Sequence, residues 1–560
     1  MIKNSLIFFL LIYCVSLYPQ EWNRARLDSL FSEYVNLHHY SLPELPQNPA
    51  EDTIHTKCGF GTAAEVFIHF NEFTETQQRI LKVLVIARPT GPDASIVSPA
   101  GFFRVHYYSS GPFVPQYDLN EFASALDSSY NFEVNHLGYP PPPPDTQPGL
   151  PPDSVGGDSK YDVYIIPMGD YGETDFETQI SQDPGILRFT TFMKVHYSFG
   201  SGFYTHGIDA ARVTAAHEFH HSIQVGNYIF RDNDLFFYEL TSTSMEEFVY
   251  DSVNDYYGYM SDYFNNTDRA FASNSGYNLA IWNIFLADKF GIDLIKKQWE
   301  KMPSSRAINA INSSLYDEGS SFGKELNKFG IWTFFTNYRA VPGQYFEEAA
   351  AYPLLHMYSV IPFIPPVVNT TMIAHPTSNN FIYIVDQQEA DTLTVLITNA
   401  DYQKGIDSVD SFFPFQYLVY NYNEPGSQQL TGLYYSKLIT DQPSQWTSSE
   451  FFNRFLIHEG EIPVEAVNYA FPNPFVYSKH SYIYFPVKGS GSQEANLNVY
   501  TSSMDLVYSV TKPYDFISGQ KVLKWNGLDN KNRRVSSGIY IFITESGNAK
   551  KVGKLVIFNE

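Results

Sequence analysis

Residues 211–226 read ARVTAAHEFHHSIQVG, with three histidines (His217, His220, His221) and one glutamate (Glu218) inside five positions. On a helix, residues four apart share a face, so His217 and His221 can reach one metal ion. His220 is rotated away from that pair. Glu218 follows the first histidine, where it can serve as general base for a water activated by the metal. The preceding IDAARVTAA is small and apolar, as in a helix buried inside a domain. The motif alone is also compatible with an ordinary helix that has a histidine-rich polar face.

The third ligand separates these readings, because catalytic zinc takes three protein ligands and leaves a fourth position for water. A further histidine six residues after His221 is ruled out, since position 227 is Asn. A carboxylate from the next helix is the remaining route. Seventeen residues separate His221 from Glu239, enough for a loop and an incoming helix over 236–251, with Asp232, Asn233 and Asp234 as candidate N-caps. Glu239 lies on the first turns of that helix, Glu246 two turns further on the same face and Glu247 next to it, with Glu247 expected on a solvated face.

This arrangement resembles the gluzincin metallopeptidases, in which HExxH is followed after about eighteen residues by a glutamate on a second helix. Leu240 and Thr243 depart from that pattern: aminopeptidases carry Gly at the first position, and thermolysin-like enzymes carry Asp at the second. The segments KCGFGTAAEV, SPAGFFRVHYYSSG, YDVYIIPMGDYGET, AAHEFHHSIQVGNY and GYNLAIWNIFLADKFG, spread over about residues 55–300, resemble more closely the secreted metalloproteases of the MXAN type. The resemblance implies Zn2+ as cofactor, Glu239 as third ligand beside His217 and His221, Glu246 as the candidate to support a ligating histidine, and Tyr277 as the group that stabilises the oxyanion.

The chain has 560 residues, 44% apolar and 17% charged, with 42 Tyr and 45 Phe, which is a globular composition suited to several domains. A net charge of −24 argues against nucleic acid as partner. MIKNSLIFFLLIYCVSLYPQ has one lysine, then an apolar run too short to span a membrane, the layout of a signal peptide over 1–20. The protein is expected to be secreted or held at the cell surface, without a transmembrane segment. Cleavage there leaves Cys58 as the single cysteine and allows no intrachain disulfide. Cys58 lies ahead of the HExxH helix and reads as a buried structural cysteine, or as a zinc ligand in a proenzyme.

Residues 21–56 read as an N-terminal helix or pro-segment, and 57–360 as the metallopeptidase domain. Within it, RILKVLVIARP (79–89) has a buried-strand pattern, as do FRVHYYSSG and YDVYIIPMG, while 119–139 has helical spacing and 139–160 is a proline- and glycine-rich loop. Short strands return after Pro362, giving a β-sandwich over 361–465. The last part, 466–560, with NPF, WNGLDNKNRRVSSGIYIF and KKVGKLVI, resembles the FlgD-like Ig fold and the sorting domain of type IX secretion. That resemblance implies contact with secretion machinery or the cell surface.

The expected fold is therefore multidomain: an α+β gluzincin-like domain followed by two all-β Ig-like sandwiches. The expected activity is zinc-dependent endopeptidase cleavage of a protein or peptide substrate. The competing readings are a surface adhesin with a structural zinc helix, and a zinc amidase acting on cell-wall peptides.

Overall fold

The computed structural model describes residues 24–38, 56–145, 156–364 apart from 182 and 184, 367–374, 377–386, 393–401, 451–459, 469–488, 494–517 and 520–559. It is a mixed α/β chain with eleven α-helices and several sheets among the described residues, divided into two compact units. The expected signal peptide (1–20) and the strand patterns at 415–422 and 432–440 lie outside the described residues.

In the first unit, α1 (Arg24–Leu37), β1 (Thr56–Cys58), α2 (Phe60–Ile68) and α3 (Glu75–Leu81) precede β2 (Ala94–Val97), β3 (Phe103–Tyr107), α4 (Leu119–Tyr130), β4 (Tyr161–Ile166), β5 (Asp170–Gln179) and β6 (Phe189–His196). The six strands form one mixed sheet in the order β1-β5-β6-β4-β3-β2. Strand β1 runs parallel to β5, with Cys58 opposite Gly172, while β5 and β6 are antiparallel. Every residue of β6 is buried, which fits an interior position in the sheet.

The stretch 79–89 does not form the strand its apolar run suggests. Thr74 and Gln77 make a reciprocal capping box that starts α3, and a wider π-type turn continues through 82–86. Leu81 and Val85, one turn apart, then pack with Leu30, Tyr34 and Val66 in a small core shared by α1, α2 and α3. A short apolar run carries no period of its own, so the cap and tertiary packing decide it.

Helix α5 (Gly207–Ile223) lies against the sheet, where Phe219 meets Phe103 edge-on at 5.4 Å. After it come α6 (Leu235–Val249), α7 (Tyr257–Asn265), α8 (Ala280–Phe290), α9 (Asp293–Lys301), α10 (Ala307–Asp317) and α11 (Phe322–Phe334). One apolar core joins these helices to the sheet, and Trp282 and Trp299 are among its largest fully buried side chains. Asp234 sits at the N-cap position of α6 but makes no cap. Its carboxylate instead receives the Arg306 guanidinium at 2.8 Å.

Beyond these helices, β7 (Ser359–Phe363) pairs in parallel with β9 (Ile382–Asp386), and β8 (Val367–Ala374), β10 (Leu393–Asp401) and β11 (Phe451–Glu459) make a three-stranded sheet. The second unit contains β12 (Phe475–Val476), β13 (Ile483–Pro486), β14 (Glu494–Thr501), β15 (Leu506–Pro513), β16 (Asp515–Ile517), β17 (Gln520–Trp525), β18 (Gly538–Ser546) and β19 (Ala549–Phe558). Its sheets run β12-β19-β18-β14-β15 and β13-β17-β16. Inward residues alternate along the strands, so Leu497, Val499 and Phe542 from one sheet meet Phe485, Leu523 and Trp525 from the other in a single core. No helix among the described residues is long and apolar enough to cross a membrane.

Candidate metal centre

Helices α5 and α6 bring three expected ligands to one point. His217 Nε2 lies 3.1 Å from His221 Nε2 and 3.2 Å from Glu239 Oε2, and His221 Nε2 lies 3.4 Å from the same oxygen. His217, His221 and Glu239 are all buried.

The outer nitrogens of both rings are held in place. His217 Nδ1 donates to Glu246 Oε1 at 2.7 Å, which puts Glu246 behind the His217 ring. His221 Nδ1 donates to Gln224 Oε1 at 2.8 Å, with Ser242 Oγ at 3.1 Å. Protons on both Nδ1 atoms leave both Nε2 lone pairs facing each other and a carboxylate oxygen. Such a set calls for a positive charge among the three atoms.

A chain of opposite charges runs outward from this point. Lys57, the residue before Cys58, donates to Glu246 Oε2 at 2.8 Å and also to Asp255. Burial opposes a charge on Lys57, but Asp255 and Glu246 more than offset it and keep the ammonium protonated. Burial likewise opposes a charge on His217, yet its bonds to Glu239 and Glu246 raise its pKa to about 9. Glu239 is pulled down to about 2: burial pushes it up, and His221 and His217 outweigh that push. A bound cation would take over the role of these protons.

Glu218 is fully buried beside the expected ligands. Thr174 Oγ1 of β5 donates to its Oε2 at 2.7 Å and contacts its backbone oxygen at 2.9 Å. Burial raises the Glu218 pKa, and the charges of His217 and His221 work in the opposite direction. Gly172 makes this approach possible: a Cβ there would stand 2.8 Å from Glu218 Cγ and 2.7 Å from Thr214 Cγ2.

Tyr277 stands beside the cluster with its ring 6.1 Å from that of His217, and its hydroxyl donates to the Cys58 carbonyl oxygen at 3.4 Å. The preceding Gly276 has φ +103°, and a Cβ on it would fall 2.7 Å from Glu239 Cβ and 2.9 Å from Leu240 N. Only glycine allows the Tyr277 turn to lie this close to α6.

His220 points elsewhere, as helical geometry requires, and pairs with Glu133 at 2.7 Å with both side chains buried. Glu247 is not on a solvated face. It is 6% exposed, and its pKa rises to about 9 through burial and then through Glu348 and Asp251.

Reading the sequence did not identify Lys57, Thr174, Gln224, Ser242, Gly172 or Gly276. Gln224 and Ser242 lie three residues beyond His221 and Glu239, on the same helical face, which is a signal the sequence does contain. Lys57, Asp255 and Thr174 arrive from other elements and leave no local trace.

No family model matches the chain, and no curated protein matches it. Among solved structures, it is similar over short stretches to PorZ, a bacterial surface component of the type-IX secretion system of Porphyromonas gingivalis (15% identity, 19% of this chain, 14% of that chain, TM-score 0.13). A second is dimeric latent PorU from Porphyromonas gingivalis (16% identity, 20% of this chain, 11% of that chain, TM-score 0.14). Each likeness covers only a small part of either chain and carries no argument about the site.

Proposed function

We propose that the first unit is a zinc-dependent endopeptidase, with His217, His221 and Glu239 as metal ligands and Glu218 as general base. The observation that carries this reading is the triangle of 3.1, 3.2 and 3.4 Å among His217 Nε2, His221 Nε2 and Glu239 Oε2. Ligands about 2.0–2.1 Å from a tetrahedral zinc stand about 3.3 Å apart, so the three atoms are spaced for one ion. Two imidazoles and one carboxylate also match the His2Glu donor set of catalytic zinc.

Zinc bound here would supply a Lewis acid that polarises a scissile carbonyl and makes water acidic near neutral pH. The protein's own groups do the rest. Glu246 and Gln224 fix the two rings with Nε2 inward. Thr174 occupies Glu218 Oε2, which leaves Oε1 to accept the proton from the attacking water. A buried carboxyl with a raised pKa can then return that proton to the leaving amine. Tyr277 is the candidate donor to the oxyanion, once its hydroxyl leaves the Cys58 carbonyl. Residues 466–560 are assigned to export or surface attachment, on the sequence resemblance of that region to sorting domains. The protein is assigned to the cell exterior on its N-terminal leader pattern.

The test measures zinc content and casein cleavage for wild type and Glu218→Gln, each with Cys58 intact and as Cys58→Ala. Zinc should be stoichiometric throughout, and Glu218→Gln should lower cleavage by at least about 100-fold. Equal cleavage with and without Glu218 would overturn the assignment.

A further inference from the structure

We propose that Cys58 Sγ is a fourth protein ligand of the metal, so that the loaded site rests closed. This proposal concerns the regulation of the same centre and rests on the reading of that centre as a metal site. One donor atom from each of Cys58, His217, His221 and Glu239 lies within 4.8 Å of the others, and this set of four includes all three proposed ligands.

The placement of Cys58 is built into the fold. Strand β1 pairs with β5, Gly59 N–H donates to the Gly172 carbonyl at 3.0 Å, and Phe60 lies flat on the His221 ring at 4.0 Å. Phe60 N–H donates to Cys58 Sγ at 3.3 Å, which helps fix the side chain in place. Cys58 packs against the apolar core and also lies within reach of two imidazoles and the Glu239 carboxylate.

Two positions that hydrolysis needs are therefore taken by one residue. The sulfur would fill the fourth coordination position, which catalytic zinc leaves to water. The carbonyl of the same residue accepts the Tyr277 hydroxyl. Strand β1 itself is pinned by the buried Lys57 pairs with Glu246 and Asp255, so the segment does not leave. Opening the site would then require the Cys58 side chain to turn away from the metal while the strand stays in place.

The proposal is tested on wild-type protein without relying on turnover. Cobalt(II) is loaded in place of zinc, and the near-ultraviolet region is scanned for a thiolate-to-cobalt charge-transfer band, with Cys58→Ser as the control. In parallel, iodoacetamide labelling of the peptide carrying Cys58 is followed by mass spectrometry with and without zinc. A band in wild type that is absent from Cys58→Ser, with labelling at least roughly tenfold slower when zinc is present, is expected. No band and equal labelling would overturn the proposal, whatever the activity.

Cleavage assays then separate this proposal from the peptidase reading. With the band present, Cys58→Ala should cleave casein several-fold faster than wild type. If the band is present and neither protein cleaves, the four-ligand site stands as a structural centre and the peptidase reading falls. If the band is absent and wild type cleaves as fast as Cys58→Ala, the peptidase reading stands and the closed site falls.

Discussion

On the side of α5 and α6 that meets β1 and β5, ionisable groups are buried as an alternating series: Glu239, His217, Glu246, Lys57, Asp255. On their other side, His220 and Glu133 are buried together, and Glu247 is buried among the acidic side chains of Asp251 and Glu348. Burial pushes Glu133 up and His220 down, so that pair is uncharged. Glu246 and Glu247 are neighbours on one helix, both buried, yet the first has two basic partners and the second has like charges. A single opposite partner does not keep charge in the interior, since His220 meets Glu133 at 2.7 Å and the pair is neutral; His217 and Lys57 are each held between two carboxylates.

The strongest way to break this contrast is Glu246→Ala. It leaves Lys57 with Asp255 alone and His217 Nδ1 with no acceptor. Breaking one member of a buried pair costs about 3–5 kcal/mol, and loss of the group behind a ligating histidine weakens metal binding about 10–100-fold. Urea unfolding and chelator competition read the two effects, and Glu246→Gln should recover part of the second. Zinc binding unchanged in Glu246→Ala would remove its supporting role.

Glu247→Gln should act in the opposite direction. The folded carboxyl titrates at about 9, while the ordinary glutamate value is 4.5. Below about pH 4.5 both states are protonated and the contribution is fully present. As pH rises toward 9 the unfolded chain ionises first, so wild-type stability falls across that window. Glutamine cannot ionise, and the variant should be more stable than wild type by about 1–3 kcal/mol at pH 8 but not at pH 4. Urea midpoints at the two pH values check this, and a variant less stable at pH 8 would show that the carboxylate has an unseen partner.

The same contrast explains what the sequence made legible. His217, Glu218, His221, Glu239 and Glu246 are set by spacing within two adjacent helices, and local periodicity places each on its face. Glu247 was misjudged because its burial comes from residues a hundred positions away, around Glu348. Strand β1 and the Cys58 position depend on a parallel pairing with β5 over more than a hundred residues, for which a three-residue strand gives no pattern. At 79–89 the capping signal Thr74–Gln77 was present, and the apolar run after it masked the helix. Helical facing was therefore readable, while long-range pairing was not.

The smallest effect is expected at the second histidine. His217 leans on a carboxylate, but His221 leans on neutral groups, Gln224 Oε1 at 2.8 Å and Ser242 Oγ at 3.1 Å. Gln224 is itself held by its bond to the Tyr238 carbonyl at 3.1 Å, so it stays in place without the serine. Ser242→Ala therefore removes one neutral hydrogen bond from a ring that keeps another, a loss of about 0.5–1.5 kcal/mol. Zinc affinity should fall by less than about tenfold, short of the range expected for Glu246→Ala. Isothermal titration of zinc into the stripped proteins compares the two variants directly. A loss in Ser242→Ala as large as in Glu246→Ala would mean that the number of contacts behind each ring, rather than the charge of the partner, sets the strength of the site.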